Sequence, residues 1–149
     1  MTSSIRTTAL DQLVVCAGRR VDPGCADVIQ TYVPQQESSR CRFVMREWLA
    51  DDQFPSASVV WVTDEKAAAE CVEGALQAGI ALLVPAVNAD LKKLCQTAAC
   101  GLYYHDGREA LRCLEYLLRE EAMRCRMAAN GYQYWRALRE QPAAKAVGA

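Results

Sequence analysis

The residues most able to bind a ligand stand directly after apolar runs of the chain. Gly18, Arg19 and Arg20 follow the run LVVCA at 13–17, and such a run is typical of a buried strand. Guanidinium groups bind phosphate oxygens through charge-assisted hydrogen bonds, so the two arginines are candidate contacts for a phosphate group. The alternative is that both are ordinary solvated charges of a surface loop.

Polar side chains follow three further apolar runs in the same way. The carboxyl ends of parallel strands meet at one edge of a sheet, where the amino termini of the following helices favour an anion. We therefore expect these polar residues to line one crevice together with the two arginines. They are Thr63, Asp64, Glu65, Asn88, His105 and Asp106.

The spacing of apolar residues predicts strands that alternate with helices. Short valine-rich and leucine-rich runs predict buried strands, and alanine-rich or amphipathic stretches predict helices. Gly79 is expected to end one helix as a C-cap, while Asn88 and Asp106 are expected to begin two others as N-caps. Strands are predicted at 13–17, 41–45, 58–62, 80–87 and 102–105, and helices at 26–33, 65–78, 89–99, 107–120 and 122–140.

This order of elements indicates one Rossmann-like α/β domain over 1–149, with a parallel sheet and helices on both faces. A chain of 149 residues is long enough to bury one sizeable core. The ends of the chain, 1–12 and 142–149, are expected to be flexible.

Composition argues against several classes of partner. The net charge is −1, whereas a nucleic acid or an anionic membrane would favour a strongly basic face. No apolar run approaches the ~20 residues that span a bilayer. The amino-terminal residues lack the apolar core of a signal peptide, so the expected location is the cytoplasm.

The eight cysteines do not show the pattern of a metal site. No C-x-x-C occurs and His105 is the only histidine, whereas a structural zinc site needs about four ligands at characteristic spacing. No metal and no cofactor are therefore predicted. Most of the cysteines stand within apolar patterns, and we expect them to be buried, reduced thiols.

The second half of the chain resembles a known family. Residues 59–139 resemble the C-terminal, nucleotide-sugar-binding half of retaining GT-B glycosyltransferases of the family 4 type. The resemblance depends on four pieces in the family's order, which are GALQAGIALLVPAV, CGLYY, DGREALRCLEYLL and LREEAMRCRMAANGYQYW.

The resemblance also implies site residues, with departures from the family pattern. Gly18 and Arg19 match the family's glycine-arginine loop, but the phosphate-contacting lysine that follows in the family has no counterpart, and Arg20 is the nearest substitute. The family's two glutamates, eight positions apart, correspond in spacing to Glu65 and Glu73. That pair is one position out of register with Gly79, and the alternative is an ordinary solvated helix face.

The function left open by the sequence lies among three classes. In the first, the chain is a glycosyltransferase-like domain that binds a nucleotide sugar, is incomplete and not catalytic alone, and acts with an acceptor-domain partner protein as a split enzyme. In the second, it is a non-catalytic interaction or assembly module on the same fold, with Tyr132, Tyr134 and Trp135 packed in a homodimer or against their own sheet. The third, a receiver-like domain, lacks the acidic cluster that phospho-acceptors need.

Overall fold

The computed structural model describes residues 11–17, 21, 23–31, 40–46, 57–63 and 69–140. Within these residues the chain forms a sheet of parallel strands with helices on both faces, as the sequence predicts. The strands are β1 (Asp11–Ala17), β2 (Arg40–Arg46), β3 (Val59–Val62), β4 (Ala81–Pro85) and β5 (Gly101–Tyr104). The helices are α1 (Pro23–Thr31), α2 (Ala69–Ala78), α3 (Ala89–Ala98), α4 (Gly107–Arg119) and α5 (Glu121–Arg139).

The strands stand in the order β2-β1-β3-β4-β5. All four pairings are parallel, and Trp61 of β3 lies between Cys16 of β1 and Leu83 of β4. The chain moves outward from β1 to β2 in one direction and from β3 to β5 in the other. The point at which the direction reverses is therefore between β1 and β3.

Each face of the sheet is covered by its own apolar core. On one face, Val60 and Leu82 pack with residues of α2 and α3, and on the other, Trp61 and Leu83 pack with residues of α1 and α4. Because both faces are covered, every side chain of β3 is buried. This explains the continuous apolar run VVWV, which does not alternate with polar residues.

Helix α5 crosses the amino-terminal edge of the sheet. The Asn130 side chain donates a hydrogen bond to the Ala99 carbonyl, just before β5, at 3.0 Å. Gly131 is buried, and a Cβ at this position would lie 2.8 Å from Leu76 Cδ2 and 3.0 Å from Cys100 Cβ. The absence of a side chain therefore lets α5 pack closely against the edge.

Several element boundaries differ from the sequence prediction. Strand β4, predicted at 80–87, spans Ala81–Pro85, because a turn closed by the Asn88 amide and the Pro85 carbonyl follows it. Helix α1 begins at Pro23 rather than at residue 26, because proline has a suitable fixed φ for the first helical position and needs no hydrogen-bond acceptor there. The last strand begins at Gly101 and ends at Tyr104, so His105 lies beyond it. The predicted helical segment 65–68 and the ends of the chain lie outside the described residues.

The cysteines with described side chains are free thiols. Cys16, Cys25, Cys95 and Cys100 are buried, as the apolar patterns predict, whereas Cys125 is exposed on α5. Cys95 and Cys100 share a side-chain hydrogen bond in the core, which raises the pKa of Cys95 and lowers that of Cys100. Burial raises the pKa of Cys113.

Candidate functional site

The carboxyl ends of β1 and β3 are held together up to their last residues. The Thr63 amide donates a hydrogen bond to the Ala17 carbonyl at 3.1 Å, and the buried Thr63 hydroxyl lies 3.5 Å from the same oxygen. The described parts of the two strands therefore end at adjacent points, at Ala17 and Thr63. In open α/β sheets this reversal point is where a ligand crevice forms.

Two helix amino termini meet beside this point. A Cβ on Gly107, the first residue of α4, would lie 2.7 Å from the Gly24 carbonyl oxygen in the first turn of α1. Gly107 is thus required for the backbones to approach so closely, while a Cβ on Gly24 would lie 3.3 Å from the Gly107 backbone. The first turn of α1 carries no acidic side chain, and the amino terminus of a helix carries a partial positive charge that favours an anion.

A buried hydroxyl group connects three elements at the same edge. The Tyr104 side chain, 4% exposed, donates a hydrogen bond to the Val62 carbonyl at 2.7 Å and accepts one from the Cys25 thiol at 3.3 Å. The Tyr104 ring also meets the Trp61 ring edge-on, at 6.3 Å between centroids. Sequence reasoning missed Tyr104, because the pair Tyr103 and Tyr104 does not reveal which ring faces the core.

Asn88 and Asp106 act as helix caps, as the sequence predicts. Asn88 Oδ1 accepts a hydrogen bond from the Leu91 amide at 3.2 Å, and Asp106 Oδ1 accepts one from the Glu109 amide at 2.9 Å. Both side chains satisfy amides that have no acceptor within the helix. Their positions at the carboxyl edge are therefore explained by helix initiation, whether or not they also touch a ligand.

His105 is held by a carboxylate at the start of α4. One oxygen of Glu109 lies 2.8 Å from His105 Nδ1 and accepts the His105 backbone amide at 2.8 Å. The hydrogen bond from the His105 side chain, followed by the one from its backbone, lowers the pKa of Glu109. Since an ionised carboxylate can only accept, Nδ1 of His105 donates to Glu109.

The predicted site residues fall into separate groups. Asn88 and His105 share the carboxyl edge, but His105 follows β5, two strands from β3, which is about 10 Å across the sheet. Glu73 is exposed in α2, four residues beyond the first described residue of that helix. The remaining predicted residues, Gly18, Arg19, Arg20, Asp64 and Glu65, lie outside the described part of the chain.

The described residues contain neither a metal-binding cluster nor a membrane-spanning helix. No group of three or more histidine, cysteine, aspartate or glutamate side chains there is arranged to hold a metal ion. Among the same residues, no helix has the length and apolar character needed to cross a membrane.

Solved glycosyltransferases share this architecture. WaaG, a glycosyltransferase involved in lipopolysaccharide biosynthesis, superposes with a TM-score of 0.63 at 16% identity, over 89% of this chain and 45% of its own. The spinosyn forosaminyltransferase SpnP gives a TM-score of 0.53 at 17% identity, over 84% of this chain and 39% of its own. No protein-family model and no curated protein sequence matches the chain.

These likenesses establish the fold. Both proteins are GT-B glycosyltransferases, and this chain has the fold of one half of such an enzyme, consistent with the C-terminal half. The resemblance seen in the sequence is thereby confirmed at the level of the fold. The chain spans less than half the length of either structure.

Proposed function

We propose that this chain binds a nucleotide sugar at the carboxyl edge of its sheet, as the donor-binding half of a GT-B glycosyltransferase. The observation that carries this proposal is the reversal point between β1 and β3, found in a fold shared with two glycosyltransferases over most of the chain. A crevice of this kind suits a diphosphate, because helix amino termini present free amides to it.

The diphosphate would lie between the loop after β1 and the amino terminus of α1. Arg19 and Arg20 stand between β1 and α1 in the sequence and would add charge-assisted contacts. Helix α1 offers amides without an acidic residue in its first turn. A negative ligand is therefore favoured here by charges and dipoles together.

In this proposal the chain binds the donor and does not transfer the sugar alone. The acceptor side would come from another domain or from a partner chain, since the similarity covers 45% of WaaG. The free thiols of the described cysteines agree with a reducing compartment such as the cytoplasm.

Calorimetry with UDP-, GDP- and ADP-linked sugars tests the proposal. We expect one class of nucleotide sugar to bind. The double variant Arg19→Ala, Arg20→Ala should raise the Kd by about tenfold or more, and a tenfold change corresponds to about 1.4 kcal/mol of binding free energy. The matched control is Arg112→Ala with Arg126→Ala, which removes two exposed arginines of α4 and α5. Absence of binding to every class at millimolar concentration would contradict the proposal for this chain.

A second function, assembly into a homodimer, is favoured by the far end of α5. Leu138 is 41% exposed, and beside it Arg139 stacks over Trp135 at 5.2 Å from the ring centroid. The Trp135 ring itself packs against the core of the α2 and α3 face, so its packing against its own sheet is confirmed. Sedimentation of the wild type and Leu138→Lys decides this second function, because an α5 dimer would become monomeric in the variant.

A further inference from the structure

We infer that Tyr104 is a positioning residue of the donor site. Its hydroxyl holds the Val62–Thr63 peptide at the end of β3 and connects that peptide to Cys25 in the first turn of α1. This inference rests on the proposed function for its link to a ligand. The hydrogen-bond geometry on which it depends belongs to the described residues alone.

The Val62–Thr63 peptide is held at both of its polar atoms. Its carbonyl oxygen accepts the Tyr104 hydroxyl at 2.7 Å, and its amide donates to the Ala17 carbonyl at 3.1 Å. Ala17 ends β1 and Val62 ends β3. Rotation of this one peptide would thus break the hydrogen bond to Ala17 and the hydrogen bond from Tyr104 together.

The Tyr104 side chain reaches this peptide across a strand. Tyr104 pairs with Pro85 of β4, yet its hydroxyl bonds to β3, on the far side of β4. The edge-on contact with Trp61 and 4% exposure of the side chain fix the ring in place. Water does not compete for a hydroxyl that is buried in this way.

The same hydroxyl also holds the start of α1. Cys25 is the third residue of this helix, is 2% exposed and donates its thiol proton to the Tyr104 oxygen. The amide groups proposed to face the diphosphate belong to this first turn. One oxygen atom therefore sets the separation between the end of β3 and the amino terminus of α1.

The two hydrogen bonds of the Tyr104 hydroxyl, to Val62 and from Cys25, are here called the clamp. Hydrogen exchange in Tyr104→Phe tests the clamp without a ligand. The ring remains to fill the core, so the expected effect is local. We expect exchange of the Thr63 amide to rise by about tenfold relative to that of the Leu82 amide, a ratio that corresponds to 1.4 kcal/mol. The Leu82 amide is a suitable internal reference, because it donates to the Cys100 carbonyl at the opposite edge.

Matched variants separate positioning from general stability. Tyr103→Phe removes a hydroxyl that accepts from Gln96 at an exposed site, and it should leave the Thr63 amide unchanged. Gly131→Ala strains the amino edge. It should accelerate hydrogen exchange of the Thr63 and Leu82 amides equally, because it lowers the global stability. Cys25→Ser keeps a donor for Tyr104 and should preserve slow exchange of the hydrogen-bonded amides beyond the first turn of α1, whereas Cys25→Ala should lose it.

Calorimetry of the same variants connects the clamp with the donor. Tyr104→Phe should weaken nucleotide-sugar binding by about tenfold, whereas Gly131→Ala, which is strained at the opposite edge, should bind like the wild type. A uniform rise in exchange, or no rise, in Tyr104→Phe overturns the clamp. If the unmodified protein binds no nucleotide sugar, the proposed function fails, and the exchange ratio still decides the clamp.

Discussion

The two edges of the sheet are closed by different chemistry. At the amino edge, α5 packs mainly through Gly131 against apolar atoms of Leu76 and Cys100, beside the hydrogen bond from Asn130 to the Ala99 carbonyl. At the carboxyl edge, the contacts are polar, and they join a tyrosine hydroxyl, a thiol, backbone carbonyls and helix caps. The comparison indicates that apolar packing supplies stability at one edge, while directional hydrogen bonds set the shape of a crevice at the other.

The largest expected effect is at the amino edge. Gly131→Val should lower the free energy of unfolding by about 2–3 kcal/mol, because overpacking a dense interface costs energy and Val is a poorer helix former than most residues. Urea denaturation followed by circular dichroism measures the loss. The two edges would not be independent if nucleotide-sugar affinity fell along with stability in this variant.

A smaller effect is expected from the cap of α4 at the carboxyl edge. Asp106→Ala should lower the free energy of unfolding by about 0.5–2 kcal/mol, since the Glu109 amide loses its acceptor. Asp106→Asn retains a side-chain oxygen and should remain close to the wild type. Equal losses in both variants would show that the carboxylate charge, and not the hydrogen bond, stabilises the helix start.

The smallest effect concerns pH and the His105–Glu109 contact. The pKa of Glu109 is lowered in the folded chain, so its stabilisation is present above the unfolded pKa of about 4.3. The stabilisation is lost as the pH falls through the folded pKa. The difference in urea midpoint between wild type and Glu109→Gln should therefore shrink as the pH falls below about 4.3, and a difference that stays constant there would contradict the assignment.

Much of the fold was predictable from local signals. The strands β3 and β4 follow from valine-rich and leucine-rich runs. The caps Asn88 and Asp106 follow from short polar side chains placed just before amphipathic stretches. Gly79 likewise has the positive φ expected of a helix-ending glycine. These features depend on neighbours in the sequence, which a single chain reveals.

The features that were missed depend on distant neighbours. Gly131 looks unfavourable within a helix, and only the approach of α5 to Cys100 explains it. The bond from Tyr104 to Val62 joins residues 42 positions apart, so residue type could not reveal it. For the site, the edge of the sheet was predictable from strand order, whereas the linking hydroxyl was not.

The most direct test of the account is an amide chemical-shift titration with UDP-, GDP- and ADP-linked sugars. We predict that one class of nucleotide sugar shifts the amide resonances of Gly24, Cys25 and Thr63 at the carboxyl edge. The amide resonances of Asn130 and Gly131 in α5 should not change. Shifts confined to α5, or none for any class at millimolar concentration, would contradict a donor site at the carboxyl edge.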